Sequence, residues 1–242
     1  EGDGKDVKGL FKSELVLHSS IDVNRMLKEL IPIFEKRNKK IILRTWTVGA
    51  HRIGDLIWHR GTLASTLKGI NSSSFILSMK YGESDFFRYL PLNKQFFRHK
   101  VQMLLELQAK REYEGCGEYP SFIGFDYEKY AHQLKGVDNV VGVSVWCQSG
   151  GWVPFRRLTY LEEKGIWNEI NSNICLKIFK ENCTAEQAIY RYAREIRCPN
   201  PDKLFELLRL SDEVIKEVLY IKEVAQAKLF FRRVRIPPLL AV

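Results

Sequence analysis

The run Ile41-Ile42-Leu43-Arg44-Thr45-Trp46-Thr47-Val48, stopped by Gly49, decides how this chain folds. It is continuously apolar and β-branched rather than alternating, which is the composition of a strand covered on both faces, as in parallel sheets. Just upstream, Val23, Met26, Leu27, Leu30, Ile31 and Phe34 recur at helical spacing, so an amphipathic helix is expected over residues 22–37. It closes on Lys36, Arg37, Lys39 and Lys40, a basic run that complements a helix C-terminus and reads most simply as solvated.

Working outward, the alternation repeats. A helical stretch at 55–70 precedes a strand at 75–79. A loop and short helix reach position 100 before a strand-like run at 101–107. Residues 122–125 read as a short strand, 127–134 as a helix, and 140–146 as a strand ending in Ser149-Gly150-Gly151. From about Phe155 the pattern is helical, strongest over 185–196 and 212–231. Repeated βα units predict an α/β fold, either a barrel or an open doubly wound sheet. Gly2, Gly4 and Gly9 follow no strand and lack dinucleotide-binding spacing, which favours the barrel. A barrel of about 250 residues needs eight strands. With only four substantial ones, and a chain opening on Glu1 rather than Met, the reading is the second half of a TIM (β/α)8 barrel over 1–153. A mainly helical region follows over 154–242.

Composition bounds the function. A chain of 242 residues that is 45% hydrophobic and 12% aromatic has material for a core and is not a disordered tail. The 38 Lys+Arg against 29 Asp+Glu, net +9, suit a polyanionic partner, either an acidic sugar or a nucleic acid. No run of about 18 apolar residues and no secretory signal is present, so no membrane partner is expected. Cys116, Cys147, Cys175, Cys183 and Cys198 fit neither a disulfide framework nor a zinc site. As mostly buried thiols they lean towards a reducing, cytoplasmic setting. His18, His51, His59, His99 and His132 lack ligand spacing, and no Ser sits in a Gly-x-Ser-x-Gly elbow.

In a barrel the reactive side chains lie at the C-terminal ends of the strands. Following each apolar run come Arg44; then Lys80, Tyr81 and Asp85; then Gln108, Arg111 and Glu112; then Trp146, Gln148 and Trp152. Carboxylate pairs are what glycoside hydrolysis requires, aromatic faces stack on sugar rings, and cations hold an anionic substituent. On spacing alone, Asp85 and Glu112 could equally neutralise Arg44 and Lys80 in structural ion pairs.

The literal strings add to this. Lys80-Tyr81-Gly82-Glu83-Ser84-Asp85-Phe86-Phe87, followed by Glu106-Leu107-Gln108-Ala109-Lys110-Arg111-Glu112-Tyr113-Glu114-Gly115, resembles paired motifs of the α-glucuronidase glycoside hydrolases (family 67), which remove glucuronic acid branches from xylan. Arg44, Glu1-Gly2, Gly142-Val143-Ser144 and Trp152 are similar to further motifs of that family in the same order. The resemblance implies an inverting hydrolase that needs no cofactor and no metal. It implies Glu1 as general acid, Asp85 and Glu112 as the pair activating water, and Arg44 and Lys80 as the grip on the uronic carboxylate, with Trp152 beside the sugar. Inversion in turn implies an acid-to-base separation of roughly 6.5 to 9.5 Å. The chain departs from the family at Tyr81, Glu83, Val145 and Trp146, positions expected to line the substrate side of the rim. The partner is then an acidic oligosaccharide rather than a nucleic acid, with oligomeric state open. The alternatives are a basic nucleic-acid-binding module and a non-catalytic sugar-binding relative. A half barrel is further expected to show no activity by itself.

Overall fold

The computed structural model describes residues 19–45, 61–83, 86–111, 113–115, 119–147 and 165–226. The order is α1 (Ser20–Lys36), β1 (Ile41–Arg44), α2 (Thr62–Leu67), β2 (Phe75–Lys80), a 3-10 turn (Lys94–Phe97), β3 (Gln102–Gln108), α3 (Gly124–Gln133) and β4 (Val140–Trp146), then α4 (Ile166–Glu181), α5 (Ala185–Glu195), α6 (Pro201–Leu219) and α7 (Lys222–Gln226). The four strands form one parallel sheet in the order β1-β2-β3-β4. The α/β class expected from the sequence is what forms.

Cross-strand partners share a face and successive residues alternate between faces. The register pairs Leu43 with Leu77 and Leu77 with Met103, then Met79 with Leu105 and Leu105 with Val143. These side chains join one core with Val23, Leu27 and Ile31 of α1, Leu63 and Leu67 of α2, and Tyr127 and Tyr130 of α3. The helices that precede the strands therefore cover the same face. Ser19 caps α1 by accepting from the Asp22 amide. A second core of Ile170, Ile174, Ile178, Ala188, Ile189, Tyr192 and Leu208 holds α4, α5 and α6 together, with Phe122 joining it to the region before α3. Thr184 and Gln187 form a reciprocal capping box that starts α5.

Three expectations are corrected. Residues 122–125 are not a strand. The Phe122 and Ile123 amides donate to Ser211 Oγ and Asn171 Oδ1 instead of to a ladder, and α3 begins at Gly124. β1 is not covered on both faces: it is a sheet edge among the described residues, and Ile42 is 55% exposed. The expected helix at 212–231 starts earlier, at Pro201. It breaks at Tyr220, whose extended backbone (φ −128°, ψ 134°) sends the side chain inward. Of the cysteines, Cys175 and Cys183 are buried and Cys147 and Cys198 half-buried, all as free thiols, while Cys116 lies outside the described residues. No described helix is long and apolar enough to cross a membrane.

Candidate functional site

The face of the sheet turned away from α1, α2 and α3 is where polar chemistry collects. Its register rows are Arg44 with Ser78 and Leu104, Lys80 with Glu106 and Ser144, and Gln108 with Trp146. In β3 this parity places Glu106 and Gln108 opposite the apolar series Met103, Leu105 and Leu107. All of these polar groups stand near the C-terminal ends of their strands. The end of β3 is pinned from behind by Tyr127, whose hydroxyl accepts from the Gln108 amide and donates to the Gln108 carbonyl, each at 2.8 Å.

Arg44 is the organised group. Its Nε lies 3.0 Å from both oxygens of Glu106, a fully buried carboxylate that also accepts from Ser78 Oγ at 2.7 Å. The Arg44 guanidinium carbon sits 3.7 Å from the centre of the Trp146 ring. Arg44 and Trp146 come from the two outer strands, three strand spacings or about 14 Å apart at the backbone. Both side chains lean inward over the sheet to meet. The stack and the charge-assisted bonds hold the guanidinium plane through Nε, while the side chain stays 32% exposed. Lys80 is buried on the same face, with its Nζ 4.4 Å from the centre of the Phe86 ring.

The structure places Arg44 and Lys80 on one face, with Arg44 paired to the buried Glu106. Glu1, Asp85, Glu112 and Trp152 lie outside the described residues. Tyr81 does not line the rim: its hydroxyl donates to the Phe87 carbonyl at 2.6 Å and its ring stacks on Tyr130 in the core. Val145 likewise faces the core, whereas Trp146 does reach the polar face. Glu106, the partner that orients Arg44, was not singled out from the sequence as a binding group. Its signal was parity, since a carboxylate among alternate leucines of a buried strand must find a cation.

Arg111 is also not on the rim. It is 2% exposed and belongs to a buried ion cluster around Glu114. Glu114 accepts from Nε and Nη2 of Arg88, from Nε and Nη2 of Arg111, from Ser121 Oγ and from Tyr220 Oη. Arg88 in turn donates to Asp212 of α6 and to the Phe122 carbonyl. Burial by itself would raise the Glu114 pKa, but Arg111 and then Arg88 outweigh it and hold the carboxyl well below the usual range. This cluster ties the segments after β2 and β3 to the C-terminal helices, beside the strand ends that carry the site.

Among the described residues, no group of three His, Cys, Asp or Glu side chains is placed to hold a metal ion. A cleft of about 750 Å³ lies elsewhere, between α3, β4 and α4, and shares only Gly142 with the polar face. No protein-family model and no curated protein matches the sequence.

Proposed function

We propose that the chain is the second half of a TIM (β/α)8 barrel and belongs to an inverting α-glucuronidase-like glycoside hydrolase. The substrate is a terminal α-linked glucuronic acid, or its 4-O-methyl ether, on xylan-derived oligosaccharides or a related acidic glycan. The observation that carries this reading is the mounting of Arg44. Glu106 engages its Nε, so that among the described residues its two terminal nitrogens are the donors left for the fork of a uronic carboxylate. Sequential parallel strands, helices on one face and polar side chains at the strand ends on the other support the barrel.

In this reading Lys80 shares the carboxylate, and Trp152 packs beside the sugar. Glu1 protonates the leaving oxygen, and Asp85 and Glu112 deprotonate the water that attacks the anomeric carbon from the opposite side. Trp146 and Phe86 exclude water around the two cations, which strengthens their grip. The test is release of glucuronic acid from an aldouronic acid by the full-length protein. Glu112→Gln should abolish turnover while binding stays measurable, and turnover retained in that variant refutes the assignment.

A further inference from the structure

Seven of the cations that the proposed site does not use stand at the other end of the sheet. Arg37, Lys39 and Lys40 lead into β1, Lys68 precedes β2, Arg98 and Lys100 lead into β3, and Lys135 precedes β4; all seven are exposed. Because every strand is parallel, these four loops share one edge. Direct contacts tie them together: Lys40 Nζ donates to the Ser73 carbonyl at 2.6 Å, and Asn139 Nδ2 donates to the Phe96 and His99 carbonyls at 3.3 and 2.8 Å. The row spans three strand spacings, about 14 Å, and continues onto the loops at either side. The exposed carboxylates beside them are Asp138, in the loop before β4, and Glu35, in the last turn of α1, which accepts from Ser72 Oγ.

Dipole complementation is the simplest account, since α1, α2 and α3 all end at this edge. One cation per helix end would satisfy it, and seven are present. The helix ends also bear on the kind of anion. An edge lined by helix C-termini offers no amide cradle for phosphate. Among the described residues Phe97 is the exposed aromatic ring beside it, too little for a base-stacking platform. An anionic polymer held by long-range charge alone fits better. The opposite edge, about 20 Å away along β3, already presents Arg44 and Lys80.

We propose that this basic edge holds the acidic polysaccharide itself through its scattered uronic carboxylates, so that the protein engages polymer as well as short fragments. The identity of the polymer rests on the uronosidase reading above. The test is surface plasmon resonance of the full chain over immobilised glucuronoxylan, with unsubstituted xylan, a random-sequence DNA duplex and phosphatidylserine vesicles as competing surfaces. Retention on glucuronoxylan should vanish in about 0.5 M NaCl, where screening is nearly complete. It should weaken about tenfold in the triple variant Lys39→Glu, Lys40→Glu, Lys100→Glu, and less in the milder pair Lys39→Gln, Lys40→Gln. Arg209→Gln, which changes an exposed cation of α6 outside this edge, should leave it unchanged. Equal retention on unsubstituted xylan, tighter binding to DNA or vesicles, or an unaltered triple variant overturns the proposal. Failure of the catalytic reading looks different: retention persists while the full-length protein releases no glucuronic acid.

Discussion

Replacing Glu114 by Gln tests whether the buried ion cluster holds the C-terminal helices against the sheet. The carboxylate takes six hydrogen bonds, four of them from two guanidiniums. After the substitution Arg88 keeps Asp212 and Asp126 as counter-charges. Among the described residues Arg111 keeps the Phe86 carbonyl, at 2.9 Å, and no carboxylate, so it is left as a buried cation. The new amide also points N–H donors at groups that donate. A stranded buried charge costs about 3–5 kcal/mol, a large share of a typical domain stability of about 5–15 kcal/mol. For a chain of this size that lowers the thermal midpoint by about 10 °C. The assay is thermal and urea denaturation followed by circular dichroism at pH 7. Tyr220→Phe serves as a control that deletes one uncharged donor to the same carboxylate, worth about 1.5–3 kcal/mol. If Glu114→Gln costs no more than Tyr220→Phe, the cluster is not the clamp described here.

Two further outcomes follow from the same packing. Since the Glu114 carboxyl is held below its unfolded value, its contribution is complete above the unfolded pKa of about 4.3 and is lost as pH falls through the folded value. Thermal midpoints should therefore hold between about pH 7 and 5 and drop steeply below about 4, less so in Glu114→Gln; a midpoint that rises on acidification contradicts this. Gly82→Ala should destabilise by about 1–3 kcal/mol, because its Cβ would lie 2.7 Å from Leu90 Cδ1 and 2.9 Å from Leu90 Cβ. Chemical denaturation measures it, and a neutral result would mean that Leu90 can withdraw freely.

Local chemistry made much of the architecture legible. The apolar runs that make up most of β2 and β3 read as strands, and the 3.6-residue period of α1 left one face for the core. Residues 122–125 misled because aromatic and β-branched composition signals burial, and here the burial is against α4 and α6 rather than within a sheet. Arg44 and Lys80 could be ranked as candidates from their place at the ends of apolar runs. That they share a face follows from strand parity combined with register, and register is a property of the assembled sheet.

By itself the sequence determined the α/β class, the positions of the main strands and the excess of positive charge. Only the tertiary structure decided which charges meet. Glu106 reaches Arg44 across 62 residues, and Asp212 reaches Arg88 across 124. Such pairings depend on how strands and helices stack, and no local period in the chain encodes them. Likewise, seven cations dispersed over a hundred residues form one surface because parallel strands bring all their leading loops to the same edge.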